Sequence, residues 1–191
     1  MIIGRIINNL RRAYYTKKFA KCSADLRFSP ENSILTYPTI IVGKNVFINA
    51  HAYMSGDIVI GDDVLIGPNC FFTSTDHEYV NVGQFINSQE RRASKPITID
   101  NDVWIGSHVS LMPGVHIHEG VVIGADSMVL QSIPPYCVCI GKPCRPIKIR
   151  YSDAELRQHY KILGKSVDEA DKVIKLRKLM LLEMGKGCLL H

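Results

Sequence analysis

The sequence predicts a mainly β fold: a prism of stacked parallel coils with one long inserted loop and helices at both ends. Three observations carry this. Apolar anchors recur every sixth position: Val42, Ile48, Met54, Ile60, Ile66 and Phe72, then Ile99, Ile105, Leu111, Ile117, Ile123 and Val129. Small or apolar companions stand four places later: Val46, Ala52, Ile58, Val64 and Cys70, then Val103, Val109, Val115, Val121, Ser127 and Ile133. Glycine follows the anchor at positions 43, 61, 67, 106 and 124. A period of six matches neither a helix nor plain strand alternation. It matches a triangular coil of three hexads, each a short strand followed by a tight corner. Anchors point inward and companions pack at the corners. Gly, Asn and Asp after the anchor tolerate corner dihedrals that other residues resist. Stacked coils hydrogen-bond strand to strand at about 4.8 Å, and the two runs supply about four coils.

The elements follow in chain order. Residues 2 to 24 carry apolar side chains at helical spacing among Arg11, Arg12, Lys17, Lys18 and Lys21. This predicts an N-terminal helical segment over 1–30 that packs on the prism, with a basic face suited to weak membrane-surface contact. The prism occupies 31–150. Its rhythm is lost over 73–96, a polar stretch with Asn81, Asn87, Glu90, Arg91 and Arg92. A loop this long in a compact repeat is functional or disordered. It opens on Asp76-His77, and histidine is the side chain most easily tuned as a base near neutral pH. Taken alone, one loop histidine is a solvated residue. Beyond the prism, Ser152 with Glu155 and Ser166 with Glu169 match the capping box, and Gly164 is a natural stop between them. Two short helices are therefore expected within 151–191, shielding the open end of the coil.

Composition sets the outer limits. At 191 residues with 46% hydrophobic content, the chain has enough apolar matter for one domain with a core. No apolar run approaches the roughly 20 residues of a membrane span, and the N-terminus does not resemble a signal peptide. The six cysteines form neither a CxxC pair nor a regular framework, so they imply neither a zinc site nor a disulfide scaffold, and a reducing cytoplasm is the simpler reading. The net charge of +5 suits an anionic small molecule and is too dispersed to indicate nucleic acid. His51 and His108 fall at corners, while His116 and His118 flank an inward anchor and are expected to face outward as surface residues.

Five stretches carry a resemblance: "FFTSTDH" before the loop, the return "KPITIDNDVWIGSHVSLMPGV", "VVIGADSMVLQSIPP", the closing "GKPCRPIK", and the hexads themselves. Together, over about residues 40 to 150, they resemble the hexapeptide-repeat acyltransferases, in the pattern of the galactoside and maltose O-acetyltransferases and related polysaccharide O-acetyltransferases. The resemblance implies a left-handed parallel β-helix, a homotrimer and an active site between subunits. It implies acetyl-CoA as donor, a sugar or surface-polysaccharide precursor as acceptor, and no required metal. His77 matches the family's catalytic base. Asn49 matches an acceptor-binding asparagine; Asp57 falls near an acceptor-binding aspartate, with spacing two residues shorter. Trp104, Ser107, Ala125, Leu130, Gln131, Arg145 and Lys148 match positions that meet acetyl-CoA. Leu130 and Gln131 depart from the usual threonine-lysine pair, and Lys148 stands for an arginine. Lys142 and Arg150 are candidates to extend the same basic patch.

Two rival activities share this sequence pattern. The ending "IKIRYSDAELRQ" also resembles xenobiotic acetyltransferases that modify virginiamycin or chloramphenicol. A hexapeptide-type metal enzyme would need a second histidine soon after His77, and none occurs before His108.

Overall fold

The computed structural model describes residues 10–11 and 13–188. The chain first runs through β1 (Lys21–Cys22), β2 (Arg27–Phe28) and β3 (Ile34–Leu35), one strand per face of a triangle. The circuit repeats with β4 (Ile40–Val42), β5 (Phe47–Ile48) and β6 (Tyr53–Ser55), then β7 (Ile58–Ile60), β8 (Leu65–Ile66) and β9 (Phe71–Thr73). After the loop come β10 (Ile97–Ile99), β11 (Trp104–Ile105) and β12 (Ser110–Leu111), then β13 (His116–Ile117), β14 (Val122–Ile123) and β15 (Met128–Val129). The first and third faces are parallel sheets five strands deep, in orders β1-β4-β7-β10-β13 and β3-β6-β9-β12-β15. The second face runs β2-β5-β8-β11-β14 and then continues through β16 (Cys137–Ile140) to β17 (Arg145–Ile149).

The anchors form the core. All twelve are 2% exposed or less, and so are the eleven companions. Each buried Val, Ile, Leu, Met or Phe among them contributes roughly 1.5–3 kcal/mol relative to exposure. Two expectations are corrected. The prism has five complete coils and begins a sixth at Ile133, which bridges to Ile117, so it is deeper than about four. It also starts earlier: β1 and β2 lie inside the stretch expected to be helical. Residues 10–11 and 13–16 are helical, and 1–9 of the expected N-terminal helix lie outside the described residues. The first two hexads escaped notice because short 3-10 turns at Pro30–Asn32 and Tyr37–Thr39 stretch the spacing from Phe28 to Leu35 to Val42. An aromatic group closes this end, with Phe19 against Phe28 at 5.7 Å and against Tyr37 at 5.0 Å.

The glycines after the anchors have a different cause from the one expected. The left-handed corner residues sit three places after the anchor: Asn45, His51, Asp63, Asn69, Asp102, His108 and Asp126, all with φ between 50° and 61°. The glycines one place after the anchor are required by close stacking of coils instead. A Cβ on Gly106 would meet the Ala125 nitrogen at 2.6 Å.

Two helices follow, α1 (Asp153–Ile162) and α2 (Val167–Cys188). Ser152 and Glu155 form both halves of a capping box, and Ser166 and Glu169 exchange the same bonds. The last parallel strand, β16, is covered by antiparallel β17, so a hairpin closes that edge directly. The helices pack beside it through Tyr136, Leu156, Tyr160, Ala170 and Ile174. Arg177 is 1% exposed and holds them together, donating to the Tyr151 carbonyl at 2.9 Å and to Asp153 Oδ1 at 2.7 Å. Arg177→Ala leaves Asp153 and that carbonyl without their buried partner, at a cost of about 3 kcal/mol. Ellipticity at the helix band is then lost at lower urea than in wild type, while fluorescence of Trp104, the chain's only tryptophan, still reports an intact prism.

Candidate active site

The second face and its following corner gather most of the residues singled out from sequence. Ladder pairing stacks Leu65, Trp104, Val122, Val138 and Lys148 in one column. Trp104 is 56% exposed, so its indole stands on the outer surface. Three rungs separate it from Lys148, about 14 Å at 4.8 Å per strand. Arg145 opens the same edge strand, opposite Ile140, and is exposed. The corner beside this face stacks Asn49, Gly67, Gly106 and Gly124, each following an anchor in register with the next. Ser107 and Ala125 come next in adjacent coils, tied by the Asp126 N–H donating to the Ser107 carbonyl at 2.9 Å. Gly106 and His108 spend their N–H groups on the Ile123 and Pro68 carbonyls. The Ser107 N–H has no backbone acceptor among the described residues. Asn49 is half-buried, and its Oδ1 accepts from the Ala50 N–H at 2.8 Å.

His77, Asp57, Leu130 and Gln131 belong to the next corner, after the third face. The loop leaves there as two antiparallel arms. His77 is bridge-paired with Arg91, the Glu78 N–H donates to the Glu90 carbonyl, and the Arg92 N–H donates to the Asp76 carbonyl. The His77 side chain is exposed, and the His77 backbone N–H donates to Asp76 Oδ1 at 2.8 Å. At the root of the loop, Ser74 Oγ takes the Asp57 N–H at 2.8 Å and also bonds Ser94 Oγ. Glu78 pairs with Arg92 at 2.9 Å, and Arg92 lies 4.5 Å from the Tyr79 ring centre. Hydrogen bonds from Arg92 and from the Tyr79 N–H hold the Glu78 carboxyl at about 2. The arms border an open cavity of about 710 Å³, lined by polar residues that include Asn81, Gln84, Glu90, Arg91 and Lys95. Within one chain, then, the histidine and the Trp104–Ser107 edge occupy different corners.

The comparisons with known proteins fit this geometry. The model named "Bacterial transferase hexapeptide (six repeats)" matches residues 39–74 and 96–131, the two runs either side of the loop. A galactoside O-acetyltransferase of Escherichia coli K12 is 40% identical over 124 residues, 64% of this chain and 59% of that protein. The crystal structure of a maltose O-acetyltransferase from Clostridium difficile 630 superposes with a TM-score of 0.67 at 32% identity, covering 78% of this chain and 82% of that one. The chain belongs to the hexapeptide-repeat acetyltransferase family. Another family member, a hexapeptide-repeat acetyltransferase of Vibrio cholerae solved with acetyl-coenzyme A, gives a TM-score of 0.66 at 30% identity over 75% of this chain and 78% of that one. This chain spans 59% of the length of its Escherichia coli relative.

Two further features of this family member bear on its chemistry. Burial pushes the Cys70 and Cys137 thiols up to about 11, so neither supplies a thiolate nucleophile near neutral pH. Arg150, a candidate for the basic patch, is engaged within the chain: it pairs with Asp102 at 2.7 Å and donates to the Gly120 carbonyl.

One cluster escaped the sequence reading. His116 and His118 are half-buried and converge on Asp100, His116 Nε2 lying 2.8 Å from one carboxylate oxygen and His118 Nδ1 3.3 Å from the other. Burial raises the Asp100 carboxyl, but hydrogen bonds from the two imidazoles outweigh it and hold the group well below the usual carboxylate range. The signal was available. Residues one coil apart are 18 apart in this part of the chain, which stacks Asp100 under His118.

Proposed function

We propose that this protein transfers an acetyl group from acetyl-CoA directly to a hydroxyl of a sugar or surface-polysaccharide precursor. The observation that carries the proposal is the Trp104–Lys148 column beside the Ser107 corner. An outward indole and a basic edge strand share the second face, and an unspent backbone N–H lies at the corner beside it. In this reading Arg145 and Lys148 meet the phosphates of CoA, Trp104 walls the pantetheine arm, and Ser107 and Ala125 meet the acetyl end. His77 takes the proton from the acceptor hydroxyl as it attacks the thioester, then returns it to the leaving thiolate. The Ser107 N–H is suited to the oxyanion that forms in between. Asn49 and Asp57 hold the acceptor.

In this reading the coils are left-handed and the protein is a homotrimer in which a neighbour's loop reaches each Ser107 corner; the placement of His77 and Ser107 on different corners supports the trimer. Leu130 and Gln131, on the same corner as His77, then face the donor from the second subunit. Sedimentation equilibrium tests this, and a catalytically active monomer would refute it. The polar, cationic lining of the loop cavity favours a carbohydrate over an apolar drug.

Thiol release from acetyl-CoA against sugars, nucleotide-sugars, chloramphenicol and virginiamycin tests the whole reading. Release with a carbohydrate is the expected result; release only with a drug overturns the acceptor. Arg145→Ala should raise KM for acetyl-CoA about tenfold, the size of one charge-assisted phosphate contact, while leaving KM for the acceptor unchanged.

A further inference from the structure

The Asp100 cluster lies outside the Trp104–Lys148 column, on the first face, and nothing in acetyl transfer uses it. Its three side chains come from neighbouring rungs of one sheet. Asp100 directly follows β10, while His116 opens β13 and His118 directly follows it. Their backbones are fixed by ladder and corner bonds. The Asp100 N–H donates to the Ile117 carbonyl at 2.9 Å, the His118 N–H to the Ile133 carbonyl at 3.3 Å, and the His116 N–H to Ser132 Oγ at 3.0 Å.

The side chains are equally constrained. The two imidazoles lie with ring centres 3.8 Å apart and planes inclined by 34°. Each turns one ring nitrogen to the same carboxylate, and the three donor atoms lie within 4.8 Å of one another. The groups are partly exposed, at 34% for Asp100, 38% for His116 and 15% for His118. An ion can reach them from solvent and still be partly shielded. Asp100 also lines a shallow cavity of about 320 Å³ with Asn101 and Glu119, which leaves room for water ligands.

We propose that Asp100, His116 and His118 form a site for a borderline divalent transition-metal ion of the Zn²⁺ class, which clips the fourth coil to the fifth. Two imidazole nitrogens and one carboxylate oxygen are a donor set that such ions accept and that Mg²⁺ and Ca²⁺ decline. Tetrahedral Zn²⁺ at 2.0–2.1 Å from each donor wants donors about 3.4 Å apart, so small side-chain rotations complete the set. Each imidazole then binds through the nitrogen that now faces Asp100 and keeps its proton on the far nitrogen. The site joins β10 to β13 just where the chain re-enters the prism after the loop. Its role is therefore structural, fixing the first rung beyond the insertion.

Calorimetric titration of ZnCl₂ into the chelator-stripped full-length protein tests this. One equivalent per chain is expected, with a melting temperature that rises on saturation and no response to MgCl₂. His116→Ala and Asp100→Asn should each weaken Zn²⁺ binding at least tenfold, while His77→Ala, which removes the exposed loop imidazole, leaves it unchanged. Asp100→Asn keeps the shape of the side chain, and circular dichroism verifies that both cluster variants are folded. Substituting Co²⁺ should give d–d bands without thiolate charge transfer. Absence of uptake, uptake that persists undiminished in folded His116→Ala, or a thiolate band would each overturn the proposal.

Discussion

His77→Ala is expected to lower kcat about 10³-fold, in the middle of the range for loss of a positioned general base. The fold should not notice. The side chain is exposed, and the arms of the loop are held by backbone bonds that alanine keeps: the Glu78 N–H to the Glu90 carbonyl and the Arg92 N–H to the Asp76 carbonyl. A surface substitution of this kind shifts stability by about 0.5 kcal/mol or less. Acetyl-CoA affinity should also be unchanged, because in the proposed arrangement the His77 imidazole meets the acceptor hydroxyl and none of the donor-binding contacts is assigned to it. The loss should therefore appear in kcat, with the donor's dissociation constant and the melting temperature preserved. Turnover by the variant within twofold of wild type would remove His77 from the mechanism.

Gly67→Ala is expected to damage both fold and activity, through backbone contact alone. Gly67 does not need a left-handed conformation, so alanine could adopt its dihedrals. The obstacle is the next coil. A Cβ would lie 2.7 Å from the Gly106 carbonyl carbon and 2.7 Å from the Ser107 nitrogen, and neither can rotate away as a side chain could. Forcing the coils apart costs about 1–3 kcal/mol. For a chain of this size that lowers the melting temperature by several degrees, at about 2–4 °C per kcal/mol. The same displacement moves the Ser107 N–H, so kcat should fall as well. Gly185→Ala is the matching control. Its Cβ would meet nothing within 4 Å, and it sits in α2, where alanine is preferred over glycine by about 1 kcal/mol. Equal melting temperatures for Gly67→Ala and wild type would show that the coils tolerate a methyl there.

Much of the prism was legible because its rule is local. An anchor such as Ile60 or Ile123 is inward whatever the rest of the chain does, and all twelve are buried. The first coil was less legible because Pro30 and Pro38 sit in 3-10 turns that lengthen its corners, so Phe28 and Leu35 fall out of six-residue time. Gly67 and Gly106 were recognised for position but not for cause, since the close approach they permit comes from another coil. The candidate site was legible as residue types in order. Which of them share a corner was not, because corner membership depends on counting hexads through the loop. The Asp100 cluster was missed for a related reason. Six-residue spacing separates inward from outward but does not pair outward residues, and only the 18-residue step does that.

The loop also sets how the prism can assemble itself in time. Below it, β4 and β7 pair residues 18 apart, as Ile40 with Ile58, and above it β10 and β13 do the same, as Thr98 with His116. Across the loop, Ile58 pairs with Ile97, a separation of 39. Closing that longer segment costs about 0.7 kcal/mol more chain entropy than closing an ordinary coil. That disfavours the joint between β7 and β10 about threefold relative to an ordinary rung, so each half is expected to zip rung by rung before the joint closes. The insertion that carries His77 thus divides folding into two nucleation zones, and the rung it delays is the one from which its own arms project.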